Sequence, residues 1–187
     1  RGDVSVGEGK VYGASGSNAG GDFVDKIYFE DHWADIEGDS QIEYDSSRGE
    51  FAVLSRDGID MSGHPVVEVS WYGAKGFCNY YGFYLPGEFE WQAAADFDGS
   101  FVYGCGVSID PGMANYDGSN PAGLSEEPYT SAVGYYGAFG YGLCDMAGNV
   151  FEWTESWGSD SEVFKVLRGG SWKYSVERSS VDYRLKF

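Results

Sequence analysis

The sequence predicts an α+β domain on three observations. Two early segments carry apolar residues at helical spacing, several short alternating runs read as strands, and a stretch rich in Gly, Asn and Asp runs for over forty residues without periodicity. The chain has 187 residues, 30 acidic against 12 basic side chains and a formal charge of -18. That length suits one domain with an ample core. A hydrophobic share of 42% rules out a disordered acidic tail, while 18% aromatics and 29 Gly argue for short elements and turns rather than a helical bundle. Phosphates are repelled by such a charge, which disfavours nucleic acid and anionic membranes as partners and favours cations. Solubility in salt is the bland explanation of the same number. No stretch reaches the roughly 18 apolar residues of a membrane span, so no membrane insertion is expected. No signal peptide is visible, and the start at Arg1 without Met suits a trimmed precursor.

Residues 1–22, with Gly13, Gly16, Gly20 and Gly21, read as a lead-in or loop. Residues 23–187 then form the single predicted domain. Ile27-Tyr28-Phe29, Ile42-Glu43-Tyr44 and Phe51-Ala52-Val53-Leu54 read as short strands. Pro65-Val66-Val67-Glu68-Val69 is a β-branched run ending at Ser70, a good N-cap. Trp71, Ala74, Phe77, Cys78 and Tyr81 follow at helical spacing, and Gly82 supplies the stop. Gly73 and Gly76 cost that helix about 1 kcal/mol each relative to Ala, so tertiary packing has to hold it. A second helix follows Leu85-Pro86, with Glu88 and Glu90 in its first turn and Trp91, Ala94 and Ala95 facing inward. Residues 96–139 form the long loop, a length that points to function or a bound ion. Strands return at Val150–Thr154 and Phe164–Leu167.

Chemistry-bearing patterns are few. Asp145-Met146-Ala147-Gly148-Asn149-Val150-Phe151-Glu152 sets two carboxylates seven apart across a Gly-containing turn, and a hard cation needs such a mixture of carboxylate and carbonyl oxygens. The competing reading has Asp145 capping a turn while Glu152 pairs with a buried Arg such as Arg168. Asn115, Asp117 and Asn120 resemble half of an EF-hand loop whose closing Glu is missing. His32 and His64 stand in unrelated contexts, and His64 before Pro65 reads as a structural hydrogen-bonder. There is no nucleophile elbow, Walker loop, His-Glu-x-x-His or dinucleotide fingerprint. Cys78 reads as a buried small hydrophobe, whereas Cys105 and Cys144 sit in Gly-rich loops where they could pair. Composition does not support an enzyme.

Taken in order, His64-Pro65-Val66-Val67-Glu68-Val69-Ser70-Trp71, Leu85-Pro86-Gly87-Glu88-Phe89-Glu90-Trp91, Gly140-Tyr141-Gly142-Leu143, Ala147-Gly148-Asn149-Val150-Phe151-Glu152-Trp153 and Val166-Leu167-Arg168-Gly169-Gly170-Ser171-Trp172 resemble the formylglycine-generating-enzyme-like (sulfatase-modifying factor) domain. That domain is a branch of the C-type lectin fold, with two helices, short mixed or antiparallel sheets and long Gly/Asn/Asp-rich loops. Gly87 stands where the family usually has Thr. The resemblance implies one calcium site from Asp145, the carbonyls of Gly148 and Val150, and Glu152. It implies a second from Asn115 and the carbonyl of Tyr116, with an acid near Ser125, Glu126 or Glu127.

The family's oxidase needs two cysteines that would fall near Tyr174 and Ser179, and no Cys follows Cys144. No copper site of that kind is expected, and two His are too few for the iron-dependent relatives. Domains without these cysteines look like the variable proteins of diversity-generating retroelements, in which the segment after Arg-Gly-Gly-Ser-Trp is a diversified ligand surface. Here that surface would be Trp172, Lys173, Tyr174, Ser175, Val176, Glu177, Ser179, Ser180, Asp182 and Tyr183. The expectation is a non-enzymatic binding domain stabilised by calcium, extracellular or surface-displayed, facing a protein or cell-surface ligand. A fixed-specificity module of the same fold is the alternative, and a sulfatase-modifying oxidase stands behind both. The sugar-binding motifs of calcium-dependent lectins are missing. The family normally runs on to a closing Gly-Phe-Arg strand. Either Tyr183-Arg184-Leu185 is a shortened version of it, or both ends belong to a longer protein; the second reading is preferred.

Overall fold

The computed structural model describes residues 4–7, 10–13, 22–24, 40–45, 48, 50–159 and 163–187. The chain divides into two compact units, Arg1–Ser55 with Val66–Leu85 and Arg56–Pro65 with Pro86–Phe187.

In the first unit β1 (Val4–Gly7), β2 (Lys10–Gly13) and β3 (Asp22–Val24) form an antiparallel sheet in that order, with Val6 opposite Val11 and Val11 opposite Val24. Residues 1–22, expected as a lead-in or loop, therefore contribute two whole strands. Their alternation, Val4-Ser5-Val6 and Val11-Tyr12, is too short to stand out against the surrounding Gly and Ser. β4 (Ile42–Asp45) and β5 (Glu50–Val53), both expected as strands, pair with each other, Tyr44 opposite Phe51. The strand predicted at residues 27–29, and His32, lie outside the described residues.

Val66–Val69 forms no strand beyond an isolated bridge at Val69, and Glu68 adopts a left-handed φ of 58° that breaks the extended run. The helix that follows, α1 (Trp71–Tyr81), has the predicted ends. Ser70 Oγ accepts the Gly73 N–H at 3.1 Å, and Gly82, at φ 76°, returns its own N–H to the Cys78 carbonyl. α1 lies against β3. Next, β6 (Ser55–Arg56) and β7 (Ile59–Asp60) make a two-residue hairpin about Asp57 and Gly58, both at positive φ.

The second unit begins with α2 (Glu88–Ala95). Gly87 has no side chain to cap it. Ser156 Oγ takes the Glu88 N–H instead at 2.9 Å, and the Glu90 carboxylate reaches back to the Gly87 N–H at 2.7 Å. β8 (Ala138–Phe139) and β9 (Leu143–Cys144) form a small hairpin. β10 (Glu152–Trp157), β11 (Lys165–Arg168) and β12 (Leu185–Lys186) form an antiparallel sheet with β11 central, Glu152 opposite Arg168 and Leu167 opposite Leu185.

Leu185 thus pairs with the central strand β11, and the adjacent Arg184 makes a two-pronged contact with the buried carboxylate of Glu88, with Nη2 to Oε1 at 2.6 Å. Two apolar clusters fill this unit. One joins Trp91, Ala95 and Val181 with Met146; the other joins Cys105, Ala114 and Ala147 with Tyr103 and Phe139. Cys105 and Cys144 are both free thiols, so the possible disulfide does not form.

Gly148 has φ 75°, and a Cβ there would fall inside the Asn115 carbonyl oxygen. Gly118 has φ 84° and open space around it. Gly148→Ala should therefore lower stability by about 3 kcal/mol or more, whereas Gly118→Ala costs about 1 kcal/mol. Denaturant midpoints of the two variants check this, and equal losses would contradict it.

Candidate functional site

Residues 96–139 contain no helix and only the two residues of β8, so side chains and stray backbone bonds have to organise them. The organiser is Asn149, 2% exposed and left-handed at φ 63°. Its N–H donates to the Asn115 carbonyl at 2.7 Å and its carbonyl accepts the Trp172 N–H at 2.9 Å. Its side-chain amide pairs with Ser131 in both directions, Oδ1 accepting at 3.0 Å and Nδ2 donating at 3.2 Å. Gly148 adds an N–H bond to Gly169 at 2.7 Å. Four distant segments are thereby pinned at one point. The sequence motif contains Asn149, but nothing in its spacing singles it out as the knot. His64 also does structural work, its Nδ1 lying 2.9 Å from Thr130 Oγ1.

The two carboxylates read as cation ligands, Asp145 and Glu152, lie at the ends of this knotted segment. Asp145 sits at φ 57° and accepts the Gly134 N–H at 2.6 Å. Glu152 Oε2 accepts the Trp91 indole N–H at 2.5 Å. Burial pushes the Glu152 pKa from 4.5 up to about 7. The indole N–H opposes that rise, and the charge on Asp145 adds to it. Burial raises the Asp145 pKa as well, against the pull of the Gly134 N–H. The alternative pairing of Glu152 with Arg168 is not made. Arg168 is 1% exposed and donates to Gln92 Oε1 at 2.7 Å and to the carbonyls of Val181 and Asp182. Its guanidinium lies 5.3 Å from the Trp91 ring.

Asn115, in the second predicted site, is wholly buried. Its Nδ2 donates to the Tyr129 carbonyl at 2.7 Å, while its Oδ1 has no hydrogen-bond partner. An orphaned buried acceptor beside the Tyr116 backbone fits a cation. Among the described residues no three His, Cys, Asp or Glu side chains come together. A cation here would have to draw on amide and backbone oxygens, such as the carbonyls of Gly148, Val150 and Tyr116.

The ten residues read as a ligand surface divide by burial. Trp172 is 8% exposed and Ser179 is 0% exposed, its Oγ beside Gly170, so both are structural. Lys173, Tyr174, Val176, Ser180 and Tyr183 are half-buried, and Ser175, Glu177 and Asp182 are exposed. Val176–Ser179 forms one short 3-10 turn. Arg178 and Phe151, not among those ten, pack against them. The Arg178 guanidinium lies 4.3 Å from the Tyr174 ring and 5.8 Å from the Tyr183 ring, and Phe151 meets Tyr174 edge-on at 5.5 Å. A single Arg between Glu and Ser carries no pattern signal; only the fold shows it stacked.

The sulfatase-modifying factor enzyme 1-like domain family matches residues 22–187. The chain belongs to that family. It is 40% identical over 128 residues to the serine/threonine-protein kinase pkn1 of Chlamydia caviae, covering 59% of this chain and 19% of that protein. It is 40% identical over 124 residues to the inactive C-alpha-formylglycine-generating enzyme 2 of Bos taurus, covering 62% and 41%. The chain therefore spans about a fifth to two fifths of the curated relatives it matches. Among solved structures, Treponema denticola variable protein 1 superposes with a TM-score of 0.58 at 23% identity, covering 72% of this chain and 69% of that one. The fold is thus the C-type lectin fold in its formylglycine-generating-enzyme variant: two helices with short antiparallel sheets. The family includes enzymes and proteins named as inactive, and this member carries Tyr174 and Ser179 where the resemblance puts the cysteine pair.

A carboxyl that holds its proton more tightly when folded stabilises the fold at low pH and loses that contribution as the pH rises through the folded value. Without added cation, the melting temperature should fall between about pH 4.5 and pH 7 and level off above, as far as Glu152 is concerned. In Glu152→Gln that part of the slope should vanish. An unchanged slope would show that Glu152 does not carry it.

Proposed function

We propose that this domain is a non-enzymatic ligand-binding module, braced by calcium. It presents the segment after Arg-Gly-Gly-Ser-Trp to a protein or cell-surface ligand, outside the cell or on its surface, as the variable protein of a diversity-generating retroelement does. The carrying observation is the cluster of Tyr174, Arg178, Tyr183 and Phe151, which stands where an oxidase of this family would need its thiolates. Tyr and Arg are the side chains that dominate binding hot spots, because they add rigid area with a polar end. No thiol follows Cys144, and Cys105 is buried with its pKa pushed up to about 11, which makes it a poor nucleophile.

Calcium, when bound, supplies the positive charge that lets Asp145 and Glu152 ionise together. The crowding of those two carboxylates and the orphaned Asn115 Oδ1 support its presence. Calcium at about 100 times its Kd should add about 2.7 kcal/mol of stability over the chain in chelator, read as a rise in melting temperature. No shift would remove calcium from the proposal.

For the binding half, the gene should be sequenced across sibling genomes. Diversification predicts substitutions at Lys173, Tyr174, Ser175, Val176, Glu177, Asp182 and Tyr183 that spare the buried Trp172 and Ser179. An even spread along the chain would favour a module of fixed specificity. Oxygen consumption on a cysteine-containing peptide with copper would overturn the non-enzymatic reading.

A further inference from the structure

A cleft of about 480 Å³ opens beside Trp172, lined by the turn from Asp117 to Asn120 and by Glu127, Tyr129 and Lys173. Its volume lies within the usual range for small-ligand sites. The lining groups are not equally available. Asn120 spends its side-chain amide on Leu124, with Nδ2 donating at 2.8 Å and Oδ1 accepting at 3.0 Å. Lys173 Nζ is paired to Glu127 Oε2 at 2.9 Å and lies 5.5 Å from the Trp172 ring. Tyr129 turns its ring edge-to-face against Trp172 at 5.5 Å.

Two polar groups are left over. The Asp117 carboxylate is exposed, and its backbone N–H bonds the Tyr174 carbonyl at 3.0 Å, which fixes where the residue stands. The Ser119 hydroxyl is buried and has no partner. With Lys173 neutralised by Glu127, the uncompensated charge of the lining is negative. The spare hydroxyl can accept a hydrogen bond, and the chain's formal charge of -18 adds a long-range attraction of the same sense.

We propose that this cleft binds an organic ammonium group, held by the Asp117 carboxylate and the Ser119 hydroxyl and packed along Tyr129. The Lys173 ammonium, lodged between a carboxylate and an indole ring, shows that the wall accommodates one such group already. An anion would meet two carboxylates, and a neutral alkyl chain would leave Asp117 and Ser119 unpaired. The inference deepens the binding-face reading, because Trp172 and Lys173 open the same segment, and it names what that face takes at its edge. The group could belong to a free amine or to a lysine side chain on a partner.

The test is calorimetric titration of the full chain, in calcium, with n-butylammonium, N-acetyl-lysine methylamide, the neutral isostere N-acetyl-norleucine methylamide, and acetate. Both ammonium probes, or the lysine amide alone, should bind saturably, and the latter result would assign the source to a protein side chain. Binding should weaken several-fold between about 0.05 M and about 0.5 M salt. Asp117→Asn should weaken it about tenfold and Ser119→Ala by a smaller factor, with melting temperatures near that of the parent.

Equal binding of the norleucine isostere, binding of acetate instead, an unaffected Asp117→Asn, or no heat from either ammonium probe would each overturn the proposal. Evenly spread substitutions in sibling genes, alongside ammonium binding that Asp117→Asn weakens, would sink the diversified-surface reading alone.

Discussion

One buried asparagine holds the functional half of this protein together. Asn149 spends its backbone N–H, its backbone carbonyl and both ends of its amide on Asn115, Trp172 and Ser131, while Gly148 beside it bonds Gly169. Unpaired in a dry interior, each of these groups would cost about 1–3 kcal/mol, so the network is worth having only when complete. Completion needs three segments far apart in sequence to arrive together. That requirement explains how more than forty residues with almost no regular structure can be well placed: their backbone polar groups are met one at a time rather than by a ladder. The left-handed φ values at Asp145, Gly148 and Asn149 turn successive peptide groups in different directions, and Gly148 is bare because the Asn115 carbonyl occupies the space a side chain would need.

The same knot sets up the electrostatics. It fastens the two ends of a short segment so that Glu152 feels the charge on Asp145 in a partly dry setting, and the Trp91 indole N–H only partly offsets the cost. Arg168 is near enough to lie over the Trp91 ring, yet its Nη1 and Nη2 donate to Gln92 and to the carbonyls of Val181 and Asp182. The buried Arg168 thus pairs with neither of the half-buried carboxylates Asp145 and Glu152. The proposed calcium would supply the positive charge that Arg168 does not. On the far side of the knot, the Asn149–Trp172 bond fixes where the proposed ligand-binding segment begins. From there Tyr174, Arg178 and Tyr183 stack into a shared face, with the buried Ser179 anchoring the turn between them.

Much of this was legible in the residues. α1 and α2 show themselves by spacing and by their ends, and β4, β5, β10 and β11 by short apolar runs. Even the long loop is visible as an absence of period. The ordered motifs carried the fold class, which periodicity alone left at α+β. What escaped did so for physical reasons. β1 and β2 are four residues each among glycines, too brief for alternation to register. The Val66–Val69 run has strand composition, but Glu68 turns left-handed, and a single backbone angle leaves no mark in composition. β12 is only two residues long and is recognisable through its pairing with β11 and the Arg184–Glu88 contact. In the site, sequence pointed to Asp145, Glu152 and Asn115, whose donor chemistry is explicit. It gave no role to Asn149, to the stacked Arg178 or to the Ser119 hydroxyl, and it read Asp117 only as part of half an EF-hand loop, because their roles rest on neighbours that the fold brings to them.

At the centre stands the claim that a cation bridges carboxylates beside Trp91 in a domain without thiolate chemistry. Terbium, a luminescent substitute for calcium, reports on it directly, because the Trp91 indole touches Glu152 and can sensitise an ion bound there. Excitation of tryptophan should produce saturable terbium emission that calcium displaces and that Glu152→Gln abolishes. Emission that never appears, or that persists undiminished in Glu152→Gln, would contradict the account.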